Sequence, residues 1–380
     1  MQMDKTSEES IELHKAHHGK IEIASKVPIN DKHDLSLAYT PGVGAVSEAI
    51  DKDTSLAKEY TLKRNTIAIV SDGSAILGLG NLGAEAAIPV MEGKAALFKK
   101  FANVDAFPLC LATQDTEEII QTVKRIAPVF GGVNLEDIAA PRCFEIERRL
   151  QNELDIPVMH DDQHGTAVVV LAALMNALKV KSAKPEDVKV VMSGAGAAGS
   201  AVAKILVEYG IKDIIVCDSK GAIGAHRSDL THEKKELAEI TNRQNAGGSL
   251  RDVIAGADVF IGVSKPGVLD VEMIRSMKEK PVVFALANPV PEIMPDEAAK
   301  AGAFIVATGR SDFPNQVNNV LAFPGIFRGA LDNGVVQFTE AMFVRAAGNL
   351  AACVAKPDPE HILPSIFDEG VTAAVARAIK

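Results

Sequence analysis

Two pairs of adjacent carboxylates are the residues of this chain best suited to chemistry. Glu136 and Asp137 form the first pair, and Asp161 and Asp162 form the second. Carboxylate oxygens are the ligands that Mg²⁺ and Mn²⁺ prefer, and such sites usually keep positions open for substrate. By spacing alone, the pairs fit a divalent-metal site and a solvated acidic loop equally well. Because neighbouring residues on a strand face opposite ways, Glu136 and Asp137 can converge on one ion only in a loop or turn.

The second half of the chain contains a loop typical of dinucleotide binding. A predicted strand leads into Gly194-Ala195-Gly196-Ala197-Ala198-Gly199, and a predicted helix leaves it. The next predicted strand ends at Asp218, close to the offset of about 20 residues that the Rossmann pattern requires. Backbone N–H groups of this loop can hold a pyrophosphate, and Asp218 can accept hydrogen bonds from the ribose hydroxyls.

A second match to the same glycine pattern, Gly78-Leu79-Gly80-Asn81-Leu82-Gly83, lacks this context. The turn at Asp72-Gly73 separates it from the preceding strand, and Pro89 lies just downstream. We interpret it as a close-packed turn near the active site. A carboxylate metal site combined with a nicotinamide site would suit the oxidation of a metal-chelated hydroxy acid.

The elements that must position these residues are strands that alternate with helices, which indicates α/β architecture with parallel sheets. We predict an N-terminal α/β domain, residues 1–160, that carries the substrate and metal sites. Residues 161–380 are predicted to form a doubly wound, Rossmann-like NAD(P)-binding domain, whose last ~50 residues are helical and pack back on the first domain. The predicted strands are 65–70, 104–110, 156–159, 189–192, 213–218, 257–262, 281–286 and 304–307, and the longer predicted helices are 89–101, 117–126, 143–154, 166–178 and 197–209.

The composition is that of a soluble globular protein with an aliphatic core. The 380 residues are 47% hydrophobic but only 4% aromatic, and the formal net charge is −10. An acidic chain lacks the basic face that nucleic acid requires, so we expect no nucleic-acid partner. The polar start is unlike a signal peptide, and no apolar run approaches the ~20 residues of a membrane span, so we expect a cytoplasmic protein. Four widely spaced cysteines predict buried, reduced thiols.

A set of motifs occurs in one order between about residue 30 and residue 330. They are Tyr39-Thr40-Pro41-Gly42-Val43-Gly44, Leu77-Gly78-Leu79-Gly80-Asn81-Leu82-Gly83, Glu92-Gly93-Lys94, Leu135-Glu136-Asp137, Asp161-Asp162-Gln163-His164-Gly165-Thr166, Ala287-Asn288-Pro289, Gln316-Val317-Asn318-Asn319-Val320 and Phe323-Pro324-Gly325. Together they resemble the malic enzymes, and the chain length resembles the short bacterial form of that family.

The resemblance implies a role for each matching residue. The implied metal ligands are Glu136, Asp137 and Asp162. The residues implied to bind malate are Asn288, Asn318 and Asn319, together with Tyr39 and Lys94. The residues implied to bind the cofactor are Thr166, Asn288 and Asp218, together with the loop from Gly194 to Gly199. His160 and His164 are interpreted as supporting groups rather than ligands, and the N-terminal His14 as a surface residue.

The resemblance also implies an acid–base pair. Lys94 would be the general base, Asp161 would position it, and Tyr39 would be the general acid. Burial beside a divalent cation favours the neutral amine that a lysine base requires. Taken alone, Lys94 would be interpreted as a solvated helix residue and Tyr39 as an aromatic residue packed in a turn.

The implied activity is the oxidative decarboxylation of (S)-malate to pyruvate and CO₂, with reduction of NAD⁺ or NADP⁺ and with Mg²⁺ or Mn²⁺. Asp218 disfavours a 2′-phosphate, whereas Lys220 could compensate for it, so we expect a weak preference for NAD⁺. Larger members of the family have an arginine where this chain has Ala75, and we therefore assign no substrate arginine.

Two other functions were weighed. A metal-independent 2-hydroxy-acid dehydrogenase would leave the acidic pairs without a task. A catalytically inactive NAD-binding regulatory module would be expected to have lost Tyr39, Lys94 or a metal ligand, and all are present.

We also expect a homodimer. The N-terminal helical segment carries apolar residues that a second copy of the chain could cover, namely Leu13, Ile21, Ile23, Leu35 and Leu37. A two-fold dimer is the commonest closed assembly. The same segment carries Tyr39, so the dimer could share active sites, with the tyrosine supplied by the neighbouring subunit.

Overall fold

The chain begins with short helices that precede the first strand. The computed structural model describes residues 5–380, so the first four residues of the polar start lie outside the described residues. These helices are α1 (Lys5–His17), α2 (Lys32–Ala38), α3 (Val43–Lys52) and α4 (Leu56–Tyr60). None of the four contains a buried residue, so their apolar side chains contribute little to the core of a single chain.

A four-stranded parallel sheet follows. Its strands are β1 (Thr66–Ser71), β2 (Asp105–Cys110), β3 (Gly132–Leu135) and β4 (Val158–His160), in the order β2-β1-β3-β4. The connecting helices are α5 (Ala84–Ala102), α6 (Thr116–Ile126) and α7 (Arg142–Glu153). Helix α5 begins before the predicted start at Pro89, which lies inside it. The proline removes one backbone donor without ending the helix.

Helix α8 (Asp161–Lys181) follows β4 directly. We predicted a helix only from Thr166, but the first turn already contains Asp161 and Asp162. Carboxylates are favourable there because the helix dipole makes its N-terminus positive. We expected no apolar run as long as a membrane span, and this was wrong: judged by length and composition alone, α8 is long and apolar enough to cross a membrane. However, 78% of its most apolar stretch is buried inside the protein.

The second sheet has six strands and is doubly wound, as predicted. The strands are β5 (Lys189–Ser193), β6 (Asp213–Asp218), β7 (Gly221–Ala222), β8 (Val259–Gly262), β9 (Val282–Ala285) and β10 (Ile305–Thr308). Their order is β10-β9-β8-β5-β6-β7, and all are parallel except the short β7. The intervening helices are α9 (Ala197–Tyr209), α10 (His232–Ile240), α11 (Leu250–Ile254), α12 (Val271–Ser276) and α13 (Pro295–Ala301).

Three helices complete the chain: α14 (Phe323–Asn333), α15 (Glu340–Ala352) and α16 (Val371–Ala376). The ring of Phe98 in α5 lies 4.8 Å from that of Phe323 and 5.6 Å from that of Phe327, centroid to centroid. Helix α14 therefore packs against a helix of the first sheet. The division of the chain near residue 160 stays a prediction.

The largest buried cluster spans both sheets and is mainly aliphatic. It includes Ile67 and Ile69 of β1, Val190 of β5 and most of the apolar residues of α8. The four cysteines are free; Cys143 and Cys217 are buried as predicted, but Cys353 is exposed. The shared cluster fixes the carboxyl ends of the strands of both sheets around a common space.

Candidate active site

A cavity of about 710 Å³ collects residues that follow the carboxyl ends of strands from both sheets. Glu136 and Asp137 follow β3, Asp162 follows β4, and Asn288 and Gly309 follow β9 and β10. Ligand sites in open α/β sheets lie at these strand ends. The position of the cavity therefore follows from the topology, and its chemistry from the residues placed there.

Three carboxylates form an acidic cluster in this cavity. Glu136, Asp137 and Asp162 each offer an oxygen, and the three oxygens lie within 4.8 Å of one another. The neighbours Glu136 and Asp137 can converge because Asp137 adopts a left-handed backbone conformation, with φ of 52°. The Asp137 N–H donates to Asp162 Oδ2 over 2.9 Å, which links the end of β3 to the start of α8.

The electrostatics of the acidic cluster fit a bound cation. Burial and the nearby Asp162 raise the pKa of Asp137 to about 7, and burial raises the pKa of Glu136 well above its usual value. The Oδ2 atom of Asp137 is buried and has no hydrogen-bond partner among the described residues. Buried carboxylates that repel one another require a positive charge, and three oxygen ligands with room for substrate suit Mg²⁺ or Mn²⁺.

Lys94 extends from α5 into the same cluster. Its ammonium group is hydrogen-bonded to the carboxylates of Glu136 and Asp161 and lies 4.3 Å from the ring centroid of Phe323. Asn319 Nδ2 donates to Asp161 Oδ2 over 2.6 Å. Burial favours the neutral amine, but the carboxylates of Asp161 and Glu136 outweigh it and raise the pKa of Lys94. The chain alone thus holds Lys94 protonated, and added positive charge at the acidic cluster would lower this pKa.

A buried network supports the start of α8. Glu147 of α7 accepts hydrogen bonds from the backbone N–H of His160 at 2.7 Å and from Gln163 at 2.8 Å. Its carboxylate also pairs with His164, and His160 Nε2 lies 3.1 Å from Asp162 Oδ2. Both histidines therefore contact carboxylates rather than joining the acidic cluster, as we interpreted them.

The structure brings most of the other predicted residues to this cavity. Those that line it are Thr166, Ala198, Asn288, Asn318 and Asn319. Gly78, in the first glycine-rich loop, lines it too, and a Cβ there would lie 2.3 Å from the Asn288 carbonyl oxygen. Only glycine allows this close approach.

The structure does not bring Tyr39 to this cavity. Tyr39 ends helix α2, its side chain is 65% exposed, and it is absent from the described lining. Within a single chain, the predicted general acid is therefore separated from the predicted base.

A second cavity of about 950 Å³ lies over the glycine-rich loop of the six-stranded sheet. It is lined by Gly194, Ala195 and Gly196 and by Asp218, and Ser264 lines both cavities. The loop is tight at Gly199, where a Cβ would lie 2.0 Å from the Gly194 carbonyl oxygen. Ala197 and Gly199 begin helix α9 and are not part of the described lining.

Asp218 is held by cations that we did not predict. Arg227 donates to both of its carboxylate oxygens, at 2.7 and 3.2 Å, and Lys234 donates over 2.6 Å. Burial opposes ionisation, but these hydrogen bonds outweigh it and lower the pKa of Asp218 to about 2. This pairing was not predictable from the sequence, because Arg227 and Lys234 lie in the polar segment after β7.

The sequence interpretation also missed a part of the substrate cavity that comes from the N-terminal segment. Ser10, His14 and Lys20 line it. We interpreted His14 as a surface residue; the residue is half-buried, and its Nε2 atom is buried. A short polar segment has no apolar periodicity, so the sequence does not reveal which part of the protein it packs against.

Comparison with known proteins agrees with this geometry. Residues 18–151 match the family model of the malic enzyme N-terminal domain, and residues 163–380 match that of the malic enzyme NAD-binding domain. The chain belongs to the malic enzyme family.

Individual members of the malic enzyme family match over nearly the whole chain. A bifunctional malic/malolactic enzyme of Bacillus subtilis is 55% identical, over 98% of this chain and 92% of its own length. An NAD-dependent malic enzyme of Geobacillus stearothermophilus is 58% identical, over 95% of this chain and 76% of its own. The crystal structure of an NAD-dependent malic enzyme from Thermotoga maritima superposes with a TM-score of 0.95 at 50% identity, covering 100% of this chain and 99% of that one.

Proposed function

We propose that this chain catalyses the oxidative decarboxylation of (S)-malate to pyruvate and CO₂, with reduction of NAD⁺ or NADP⁺ and a requirement for a divalent metal ion. One observation carries the proposal: a largely buried acidic cluster and a buried lysine share a cavity that adjoins the dinucleotide loop. Membership of the malic enzyme family supports it.

Glu136, Asp137 and Asp162 would hold Mg²⁺ or Mn²⁺. When bound, such an ion would act as a Lewis acid toward the substrate oxygens. Asn288, Asn318 and Asn319 would orient malate by hydrogen bonds to its carboxylates. These amides come from the segments that follow β9 and β10, and all three line the cavity that contains the acidic cluster.

Lys94 would remove the proton of the C2 hydroxyl while C2 loses its hydride. Asp161, which Asn319 holds by a hydrogen bond, would fix the amine in position for this transfer. After C4 leaves as CO₂, Tyr39 would donate a proton to C3 of enolpyruvate. The dinucleotide would bind across the loop from Gly194 to Gly199, with Thr166, Ala198 and Asn288 beside its nicotinamide end.

We propose NAD⁺ as the weakly preferred cofactor. Asp218 lies at the end of β6 and lines the dinucleotide cavity, where its carboxylate can accept from ribose hydroxyls and would repel a 2′-phosphate. Arg227 and Lys234 moderate this repulsion because they bind the same carboxylate.

We propose that the protein is a homodimer whose active sites are shared. Tyr39 is exposed and does not line the cavity of its own chain, and apolar side chains of the same segment are exposed with it; Ile23 is 87% and Leu37 63% exposed. A second chain would cover this surface and could bring Tyr39 to the partner's Lys94. We also propose a cytoplasmic location and a domain boundary near residue 160.

The proposal is tested by incubating the protein with (S)-malate, Mn²⁺ and either NAD⁺ or NADP⁺. The expected result is reduced cofactor with equal amounts of pyruvate and CO₂, abolished by excess chelator. Oxaloacetate formed without CO₂ in the presence of chelator would identify a metal-independent dehydrogenase. Cofactor binding without turnover of malate would identify a regulatory module.

A further inference from the structure

Lys20 is a cation of the substrate cavity to which the proposed mechanism gives no task. Lys20 lies just after α1. Among the described residues, the lysines that line the cavity are Lys20 and Lys94. No arginine does so, and the lining residue Ala75 carries no charge. The charge of Lys94 is already matched by Glu136 and Asp161, so Lys20 supplies the positive charge that remains.

The ammonium group of Lys20 is held by a backbone carbonyl, and burial lowers its pKa although the nearby Glu92 carboxylate acts to raise it. Its Nζ donates to the Pro89 carbonyl oxygen in α5 over 2.5 Å, and its backbone N–H donates to Glu92 Oε2 over 3.2 Å. Within residues 5–380, no carboxylate oxygen forms an ion pair with this Nζ. An ammonium group has three donors, so two remain available to a ligand.

The geometry places this ammonium beside the helix that carries the proposed base. Lys20 Nζ lies 3.6 Å from the position a Cβ would take at Gly93, the residue before Lys94. A side chain at residue 93 would narrow the gap between the Lys20 ammonium group and helix α5.

His14 adds a second nitrogen to the same part of the lining. Its Nδ1 donates to the Ser10 carbonyl oxygen over 2.7 Å. Its Nε2 is buried and has no hydrogen-bond partner among the described residues. Because Nδ1 is the donor, the neutral ring presents Nε2 as an acceptor, and a buried acceptor without a partner carries an energetic cost that a ligand hydroxyl or a bound water can remove.

We propose that Lys20 binds the substrate carboxylate that is not held at the acidic cluster, with His14 beside it. This inference rests on the proposed function, because malate is a dicarboxylate. One carboxylate and the C2 hydroxyl belong at the acidic cluster, which leaves the other carboxylate in need of a positive partner. Lys20 thereby selects 2-hydroxy dicarboxylates over 2-hydroxy monocarboxylates.

The role is one of binding rather than proton transfer. The contacted carboxylate leaves as CO₂, so the ion pair exists with substrate and is lost with product. Removal of the charge should therefore raise KM for malate far more than it lowers kcat.

The test compares Lys20→Met and Lys20→Gln with Lys20→Arg, and uses Lys26→Met as the matched control. Lys26 lies in the same segment, but its exposed side chain pairs with Asp105 at 3.3 Å, away from the cavity lining. The measurements are KM and kcat for (S)-malate, and the inhibition constants of hydroxymalonate and oxalate at saturating Mn²⁺. Hydroxymalonate keeps a second carboxylate beyond its chelating group, whereas oxalate uses both carboxylates for chelation.

Loss of one charge-assisted hydrogen bond should raise KM for malate and the hydroxymalonate constant about 10-fold to 100-fold. The oxalate constant should change less than about twofold, Lys20→Arg should recover most of the affinity, and Lys26→Met should match the wild type. An unchanged KM in Lys20→Met and Lys20→Gln would overturn the inference, as would equal weakening of oxalate and malate. A wild-type protein without malate turnover would instead refute the proposed function.

Discussion

Asp162 connects the acidic cluster to helix α8, and its charge is the feature most easily removed without changing shape. Asp162→Asn keeps the volume of the side chain but weakens one of the three oxygen ligands. Since Lewis-acid catalysis contributes several kcal/mol, we expect malate turnover to fall by about 10³-fold or more. The measurement is the steady-state rate over a Mn²⁺ titration, with the exposed Asp296→Asn as control. Full activity of the wild type in metal-free buffer with excess chelator would refute the metal assignment.

Lys94 and Tyr39 should fail at different steps when replaced. Lys94→Ala removes the group that takes the hydroxyl proton, so oxidation of malate should fall by at least about 10²-fold, within the usual range for a general base. Tyr39→Phe removes only the proton donor for enolpyruvate. The two variants are distinguished by the exchange of the C3 protons of pyruvate with solvent, which is measured by NMR in D₂O. Normal exchange and normal pyruvate formation in Tyr39→Phe would show that Tyr39 is not the acid.

The sequence predicted the members of the acidic cluster but not how they meet. Adjacency implied that Glu136 and Asp137 need a turn, and the left-handed backbone at Asp137 supplies it. Lys20 and His14 were not predicted because a single lysine or histidine in a polar segment has no pattern that reveals a cavity. The position of Lys20 depends on contacts with α5, about 70 positions further along the chain.

At the scale of single elements, we expect the end of β6 to decide between the two dinucleotides. Asp218→Ser removes the carboxylate that repels a 2′-phosphate and frees Arg227 and Lys234 to bind one. The ratio of kcat/KM for NADP⁺ to kcat/KM for NAD⁺ should then rise about 10-fold or more. Asp296→Ser, on the surface of α13, is the control. An unchanged ratio would mean that the two cations do not reach the ribose.

Asp258 joins several elements of the six-stranded sheet. It accepts from the backbone N–H of Lys189 at the start of β5 and pairs with Lys181 and Lys278. Burial raises its pKa, but these partners outweigh burial and hold the pKa below the usual value. The carboxylate thus stabilises the fold above the usual aspartate pKa, and this contribution is lost as the pH falls through the lowered value.

Asp258→Asn should therefore lower stability by about 2 kcal/mol at neutral pH. The measurement is the melting temperature across pH, with the exposed Asp187→Asn as control. The difference from wild type should shrink in acid, and a difference that grew in acid would contradict this account.

The long elements with a clear apolar pattern were predictable, whereas several of the short ones were not. The strand β6 and the helix α9 have their predicted bounds because their apolar patterns are long and end at charged or glycine residues. The two-residue β7 and the short helices α11 and α12 were not predicted. Segments of this length contain too little periodicity, and tertiary contacts decide their conformation.

At the scale of the whole molecule, we expect Tyr39 to meet Lys94 of a second chain in a dimer. If two chains share each site, mixing Tyr39→Phe with Lys94→Ala should restore activity after subunit exchange, because one site of a mixed dimer regains both residues. Random exchange gives half of the dimers as hybrids, each with one intact site, so about a quarter of wild-type activity is expected. Exchange itself is followed by native mass spectrometry. Proven exchange without recovered activity would place both residues in one chain.

The exposed position of Tyr39 also has a consequence for handling the enzyme. An active site that needs a residue from the neighbouring chain is complete only in the dimer. The specific activity should therefore depend on the protein concentration. If the sites are shared, dilution below the dissociation constant of the dimer should suppress the protonation of enolpyruvate at every site, although each separate chain keeps its cavity and its acidic cluster. Reconcentration should restore the rate. A substrate that bridges the two chains should also shift the dilution midpoint downward by mass action.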